Sequence, residues 1–225
     1  MKRVKLVACT VPLIEEHPEI DSAEGFIAYA ARVSNPKNQD NPESKGLVKY
    51  LIKNHHWSPF EMVQIVLEIN TTRDIARQIL RHRSFSFQEF SQRYADASQL
   101  GFEKREARLQ DLKNRQNSVD MNEDSAIAKA WQVVQEDVLE LVRESYAWAL
   151  ENGVAKEQAR AVLPEGMTKS KMYMAGTLRS WIHYCSLRMG NGTQKEHQEI
   201  AKECWEIIRK EFPNVCEAVD ENLLN

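Results

Sequence analysis

The chain has 225 residues, 28% of them charged, and a formal net charge of -3 at pH 7. This length can bury a core as one large domain or as two small ones. The slightly acidic balance argues against general binding to nucleic acid or to a membrane surface, where a basic excess supplies the affinity. Any anion site must therefore be local.

Neither the start of the chain nor its cysteines indicate export. No apolar run approaches the ~20 residues of a membrane span, and Met1-Lys2-Arg3 leads into a polar, strand-like segment. The cysteines, which lack CxxC or CxxH spacing, are Cys9, Cys185, Cys204 and Cys216. This pattern favours reduced thiols over disulfides or metal ligands. We therefore expect a cytosolic protein of a microbe, or of its host cell if a phage encodes it.

Hydrophobic periodicity in the first half of the chain predicts short strands alternating with helices. The expected elements are, in order, a strand at 4–8, a helix at 22–33 capped by Ser22, a helix ending near 54, a strand at 62–70 after the Ser58-Pro59 turn, and a helix from about 72 to 80. The last of these helices leads directly into Arg81.

The second half begins with an almost wholly polar segment, residues 103–124, which we call the polar excursion. Its composition predicts a loop or a mobile, partly helical flap. Apolar residues at helical spacing then predict a long helix over 126–150 whose stripe belongs to the core, and Gly153 ends it. The stripe consists of Trp131, Val134, Val138, Leu141 and Trp148. The remaining expected elements are a strand at 171–175 and helices at 177–187 and 194–211, the last ended by Pro213. A single α/β domain over 1–225 is expected.

A dense polar cluster at 81–94 contains three arginines, a histidine, a carboxylate and several hydroxyls. Arginine holds phosphate through a rigid fork of donors, while Gln88, Glu89 and Ser91 can orient a heterocycle by its polar edge. Gln78 lies on the same helix face as Arg81 and points toward this cluster. A solvated basic helix end followed by a strand would explain the composition equally well.

Three further segments combine polar side chains with apolar neighbours. The segment 56–61 reads His-Trp-Ser-Pro-Phe-Glu, a spacing that suits no metal, and an ordinary turn histidine is the alternative. The segments 159–164 and 177–188 place arginines among bulky apolar residues, where each needs an anion that internal carboxylates could also supply. Because neither GxGxxG nor GxxxxGK occurs, arginine side chains would have to hold any dinucleotide.

These four segments, in this order, resemble the signature segments of the flavin-dependent thymidylate synthases. The family carries His-x-Ser/Thr-Pro-Phe-Glu, then Arg-His-Arg followed after seven residues by Ser and two further on by Arg, then Ala-Arg-x-Val-Leu-Pro, then a late helix with spaced arginines. The match runs from about residue 57 to 199 apart from the polar excursion. The resemblance implies the thymidylate synthase-complementing fold, an α+β arrangement with a mainly antiparallel sheet flanked by helices. It also implies a homotetramer with FAD and substrate lodged between subunits.

The resemblance assigns roles to individual residues of this chain. The implied FAD contacts are Ser58, Glu61, Arg81, His82, Arg83, Ser84, Glu89, Thr177, Arg179 and His183. The implied dUMP contacts are Gln78, Glu89, Ser91, Gln92, Arg93, Arg160 and Arg188, with Arg188 at the pyrimidine carbonyl edge. His56 and Tyr94 would lie where methylenetetrahydrofolate or NADPH approaches the flavin. The chain departs from the commonest family pattern at Gln88, Thr177 and His183, where Asn is usual or frequent.

The implied chemistry is methylene transfer from 5,10-methylenetetrahydrofolate to dUMP, with NADPH reducing FAD, to give dTMP. Methylation at C5 requires activation of the ring by a thiolate, by hydride, or by polarisation of its carbonyls, and no cysteine is placed for the first route. A reduced flavin can supply hydride, and an arginine at the carbonyl edge can stabilise developing charge. The expected catalytic residues are Arg188, Ser91 and His56, although Ser91 has no apparent local base and is expected to orient dUMP. The alternatives are a nucleotide-binding regulatory module without redox chemistry and a structural helical protein whose arginines pair internally.

Overall fold

The centre of the protein, seen in a computed structural model that describes residues 2–223, is a four-stranded antiparallel sheet. Its strands, in the spatial order β1-β2-β6-β3, are β1 (Val4–Cys9), β2 (Gln64–Thr72), β6 (Lys169–Thr177) and β3 (Ser86–Glu89). β2 and β6 pair from Gln64 opposite Thr177 to Thr72 opposite Lys169. The expected antiparallel sheet with flanking helices is confirmed.

Eight α-helices accompany this sheet within residues 2–223. They are α1 (Ala23–Ala31), α2 (Lys45–Lys53), α3 (Arg73–Ile79), α4 (Ala126–Glu151), α5 (Lys156–Ala159), α6 (Leu178–Arg188), α7 (Lys195–Glu211) and α8 (Pro213–Leu223). The predicted cap of α1 is present, since Ser22 Oγ accepts the Gly25 N–H at 3.0 Å. Pro213 follows α7 as expected, but it also opens α8, which was not predicted, because a first helical position needs no N–H donor. Among the residues described, no helix has the length and apolar character to cross a membrane.

The core lies on one face of the sheet. Alternate residues of β2 and β6, among them Leu67 and Met174, are fully buried, as the two-residue period of a strand requires. α6 is attached to this face by Trp181, whose Nε1 donates to the Ile65 carbonyl at 3.2 Å. The cysteines are free thiols, three of them buried in or beside this core.

A glycine in β6 allows the polar cluster at 81–94 to pack closely against the sheet and α6. A Cβ at Gly176 would lie 2.4 Å from the ring of Phe85, so only glycine allows this contact. The Phe85 ring also packs edge-on against Trp181 at 4.9 Å between centroids. Because Phe85 immediately follows residues 81–84, its packing sets those residues beside α6, with Ser84 near Ser180 and His82 near Tyr184 and Arg188.

α4 does not bury the stripe that the sequence predicted as core. Those stripe residues are Trp131, Val134, Val138, Leu141 and Trp148, and they are 41%, 51%, 41%, 65% and 63% exposed. The helix instead buries a second face that includes Leu139, Val142 and Tyr146, and it packs toward Ala97 and Ala159. Both faces are apolar at helical spacing, so periodicity alone could not tell which one meets the body of the protein. With Ile127, the exposed stripe alternates at four and three residues as far as Leu141, and Trp148 lies seven residues further on, as in paired helices.

The polar excursion is a loop closed by a short hairpin, so the expected loop is present, the partly helical alternative is wrong, and mobility stays a prediction. Its strands are β4 (Arg108–Gln110) and β5 (Ser118–Asp120), which pair antiparallel. Arg105 is largely buried, and its Nη2 donates to Asp74 Oδ1 at 2.9 Å while its Nη1 lies 3.4 Å from Glu196 Oε1. These partners are distant along the chain, which is why local polarity did not indicate them.

Arg105→Met is expected to lower the free energy of unfolding by about 3 kcal/mol, because Asp74 and Glu196 would each lose a buried cationic partner. Denaturant unfolding followed by circular dichroism measures this change. Arg115→Met, at an exposed position of the same hairpin, is the matched control and should change stability by under about 0.5 kcal/mol. Equal effects of the two substitutions would contradict a structural role for Arg105.

Candidate active site

A cavity of 640 Å³ opens beside α6, and several residues that the family resemblance assigns to FAD line it. Its walls are formed by Trp57, Glu61, Ser84, Arg179, Ser180, Ile182, His183, Ser186 and Leu223. The predicted flavin contacts among them are Glu61, Ser84, Arg179 and His183. The fold thus brings together three distant segments around a space within the ~300–1,000 Å³ typical of small-molecule sites.

Local hydrogen bonds set the shape of this cavity. Thr177 caps α6, because its Oγ1 accepts the Ser180 N–H at 3.1 Å, and Ser180 Oγ donates to the Ser84 carbonyl at 3.3 Å. Arg179 forms an ion pair with Glu61 of the short helical turn Ser58–Glu61. Since both partners are well exposed, this pair contributes under about 1 kcal/mol, and an anionic ligand can replace the carboxylate.

The polar groups left without internal partners fit a flavin nucleotide. Ser186 Oγ is buried and has no hydrogen-bond partner among the described residues. Arg81 and Arg83 are exposed, and neither forms a hydrogen bond or ion pair within residues 2–223. Unpaired guanidinium groups suit phosphate, and Trp57 adds an aromatic wall for a ring system. Sequence reasoning missed Trp57 and Ser186, although Ser186 lies seven residues after Arg179 on the same face of α6.

A second group of predicted site residues forms a buried network. Arg188 Nε donates to His82 Nε2 at 2.9 Å, and the His82 ring meets Tyr184 edge-on at 4.9 Å. The Tyr184 hydroxyl lies 3.1 Å from His197 Nε2, and His197 Nδ1 lies 3.2 Å from Gln78 Oε1. Gln78, His82 and Arg188 are therefore in one place, connected by two residues that sequence reasoning did not select.

Both histidines of this network are neutral at pH 7. Burial, then the charge of Arg188, lowers the pKa of His82 to about 4, and the same causes lower the pKa of His197 to about 3. Because His82 Nε2 accepts from Arg188, its proton resides on Nδ1. Arg188 has no carboxylate partner within residues 2–223, so the rest of its guanidinium group remains available to an anionic or carbonyl ligand.

The free energy of unfolding is expected to fall as the pH falls from about 6.5 toward 3. In this range the histidines of the unfolded chain bind protons, whereas native His82 and His197 stay neutral until the pH approaches their lowered pKa values. Unfolding free energies at pH 7, 5.5 and 4.5 measure this loss. His197→Asn should show a shallower dependence over the same interval. An unchanged slope in that variant would contradict a neutral, buried His197.

A third group surrounds α5. Arg93 Nε lies 3.5 Å from Glu157 Oε2, and Arg160 Nε donates to the Glu157 carbonyl at 3.2 Å. Ser91 Oγ accepts the Arg93 N–H at 3.4 Å, which turns the chain at this point. The neighbouring Gln92 is buried, and its Nε2 has no acceptor among the described residues. Two predicted dUMP residues thus contact Glu157, Arg93 at its carboxylate and Arg160 at its backbone carbonyl, and Ser91 and the unsatisfied donor of Gln92 adjoin Arg93 in the chain.

The other predicted site residues occupy more ordinary positions. Glu89 Oε1 accepts from Arg73 at 3.1 Å and from Ser170 Oγ at 2.6 Å. His56 is exposed and packs edge-on against Tyr50 at 5.8 Å, outside the walls of the cavity. Ser58 lies in the exposed turn, and Tyr94 is 79% exposed.

In the described part of the chain, the predicted dUMP residues belong to two groups that are not bonded to each other. Within residues 2–223, no hydrogen bond or ion pair joins the group of Arg93 and Arg160 to the group of Gln78 and Arg188. An antiparallel sheet with a cavity that has Arg179 in its wall, with neutral histidines and without a Gly-rich loop, defines an α+β protein whose site suits a nucleotide.

Comparison with known proteins identifies the family. Residues 13–214 match the family model of the thymidylate synthase complementing proteins. This chain belongs to that family, whose related members here are flavin-dependent thymidylate synthases. The relative from Paramecium bursaria Chlorella virus 1, named a probable flavin-dependent thymidylate synthase, is 50% identical over 218 residues, covering 96% of this chain and 98% of the relative. The flavin-dependent thymidylate synthase of Synechocystis sp. is 50% identical over 217 residues, covering 96% and 99%.

A solved structure agrees with this result. The UMP/dUMP methylase of Streptomyces cacaoi, bound with 5-Br dUMP, is similar with a TM-score of 0.79 and 25% identity, covering 99% of this chain and 96% of that one. The predicted fold, family and enzyme class are confirmed, as is the expectation of FAD as the cofactor.

Proposed function

We propose that this enzyme converts dUMP to dTMP with 5,10-methylenetetrahydrofolate as carbon donor and NADPH as reductant, in a homotetramer whose active sites are shared between subunits. The observation that carries the proposal is the presence of a cavity walled by Ser84, Arg179 and His183 together with Arg188 beside neutral His82. Chromatographic measurement of dTMP, with FAD, NADPH or the folate omitted in turn, tests it. Formation of dTMP without FAD, or no dTMP in the complete mixture, would contradict the proposal.

The flavin side of the site is formed by residues around the first turns of α6. Arg81, Arg83 and Arg179 would hold the phosphates, and Ser186 and His183 would meet polar edges of the ring system. When bound, FAD supplies hydride chemistry, which the amino-acid side chains of a protein lack. Trp57 and Ile182 exclude water from one wall of the cavity and so strengthen each polar contact within it.

On the substrate side, Arg188 is the group best placed to act on the pyrimidine. Its guanidinium group donates one N–H to His82 and retains others that can bind a ring carbonyl and stabilise negative charge developing there. Arg93 and Arg160 would bind the phosphate of dUMP, and Arg93 would release the Glu157 carboxylate as it does so. Gln92 Nε2 would find its missing acceptor on the same ligand.

Ser91 is proposed to orient dUMP and not to attack it. Within residues 2–223 no histidine or carboxylate forms a hydrogen bond with Ser91 Oγ, whose one contact is the Arg93 N–H. A serine without a base is a weak nucleophile.

Ser91→Ala should therefore retain turnover and lose about 0.5–1.5 kcal/mol of dUMP binding, the contribution of one hydrogen bond. Initial rates of dTMP formation over a range of dUMP concentrations measure both quantities. Complete loss of product with dUMP still bound would instead indicate covalent attack by the serine.

His56 and Tyr94, both exposed, are proposed to meet the folate or NADPH as either approaches the flavin. The shared-site proposal is supported by the separation of the two groups of dUMP residues. It is supported further by the exposed stripe of α4, whose alternating four- and three-residue spacing suits pairing with another helix. A single domain working in the cytosol of a microbe, or of its host if phage-encoded, completes the proposal.

The alternative of a regulatory nucleotide-binding module has no specific support. A colourless protein that binds dUMP and forms no dTMP would be the observation in favour of that alternative.

A further inference from the structure

A directed chain of hydrogen bonds runs from Glu196, at the start of α7, to Tyr184 in α6. Gln194 Nε2 donates to Glu196 Oε2 at 2.9 Å, and Gln78 Nε2 donates to Gln194 Oε1 at 2.7 Å. The chain continues through the contacts of His197 with Gln78 at 3.2 Å and with Tyr184 at 3.1 Å. Every link is buried or half-buried, so water competes little for these groups.

The direction of the chain is determined at the carboxylate end. An ionised carboxylate can only accept, so Gln194 must turn its nitrogen toward Glu196 and its oxygen toward Gln78. Gln78 must then turn its nitrogen toward Gln194 and its oxygen toward His197. His197 consequently donates from Nδ1 and accepts the Tyr184 hydroxyl at Nε2. Reversing either amide alone would place two acceptors or two donors against each other.

The base of the polar excursion keeps Glu196 charged. Glu196 is 6% exposed, and burial alone would raise its pKa, but the helix N–H, Arg105, Gln194 and Arg108 together hold that pKa below its usual value. Arg105 Nη1 lies 3.4 Å from its carboxylate, and Arg108 forms a closer ion pair with it. The carboxylate is thus an acceptor at neutral pH, which is the state that the directed chain requires.

We infer that Glu196 is a positioning residue for the substrate. Through Gln194 it fixes the orientation of the Gln78 amide, and that orientation decides whether the amide nitrogen or the amide oxygen faces the nucleotide. The inference rests on the proposed role of Gln78 in binding dUMP. After its two internal bonds, Gln78 retains one N–H and one oxygen lone pair. With the amide held in one orientation, the ligand atom facing Gln78 nitrogen must be an acceptor and the atom facing its oxygen must be a donor.

Glu196→Gln tests this role, because a glutamine can donate as well as accept and no longer imposes a direction. In the FAD-bound enzyme, titration calorimetry should show dUMP affinity weakened about threefold to tenfold, with KM for dUMP raised similarly and kcat changed less than twofold. FAD affinity should stay unchanged. Glu199→Gln, one turn away on α7 and paired with Arg3, is the matched control and should bind dUMP normally.

Gln194→Leu separates the directed chain from the ion pairs, since it leaves Glu196 with Arg105 and Arg108. It should weaken dUMP binding as much as Glu196→Gln does, and the double variant should be no worse than either single variant. Normal dUMP affinity in Glu196→Gln or in Gln194→Leu would overturn the positioning role alone. Failure of the unaltered FAD-bound enzyme to bind dUMP would overturn the proposed function itself.

Discussion

Arg188→Ala is expected to lower the rate of dTMP formation by about 10²- to 10³-fold while FAD remains bound. Arg188 has no carboxylate partner in residues 2–223, and its one side-chain hydrogen bond there is to a neutral histidine, so no internal anion neutralises the charge that it would present to the ring. Removing that charge affects the transition state more than the bound substrate, because the carbonyl oxygen becomes negative only as the reaction proceeds. The loss should therefore appear mainly in kcat.

Single-turnover measurement of dTMP, beside the flavin absorbance of the same sample, separates loss of chemistry from loss of cofactor. Arg77→Ala is a suitable control, since Arg77 is an exposed arginine of α3 that pairs with Glu165 at the surface. A fall in kcat of less than about tenfold in Arg188→Ala would place charge stabilisation on another group.

Arg160→Ala and Arg188→Ala are each expected to be nearly inactive, yet co-expression of the two should restore activity. If each active site takes Arg160 from one subunit and Arg188 from another, random mixing leaves about a quarter of the sites with both arginines. The expectation follows from the lack, within residues 2–223 of one chain, of any hydrogen bond or ion pair between the two groups of predicted dUMP residues. Activity of the co-purified mixture, assayed with two differently tagged chains, measures it.

The exposed stripe of α4 provides the control for that experiment. Val134→Glu combined with Leu141→Glu places charges at two stripe positions that are 51% and 65% exposed, so the subunit itself should still fold. Added to both parent variants, these charges should prevent co-assembly and abolish the recovery. Full recovery in their presence would exclude the stripe as the subunit contact, and no recovery without them would exclude shared sites.

Much of the local structure follows from nearby residues. Ser22 caps α1 as its position predicts, and the alternating residues of β2 form a strand with one buried face. These elements depend on contacts within a few residues, which is the range over which sequence patterns carry information. α8 is the exception, because Pro213 indicates the end of one helix and the start of another equally well.

The candidate site, like the local structure, could be predicted from the sequence only in part. The order of four segments indicated the family, and Arg179 and Glu61 meet at the cavity as that resemblance implied. Ser186, His197 and Glu196 were not selected, because each owes its importance to a partner on another element. Such contacts leave no spacing signal in the chain.

The sequence by itself determined the α+β class and the family, and it predicted the arginines for an anionic ligand, since these depend on residue type, order and local periodicity. Only the tertiary structure decided which stripe of α4 is buried, that Arg105 and Arg108 join the polar excursion to Glu196, and that the predicted dUMP residues fall into two groups. The physical reason is common to all three. Each depends on burial and ion pairing between segments far apart in the chain, and the free energy of those contacts is set by the packing of the whole fold.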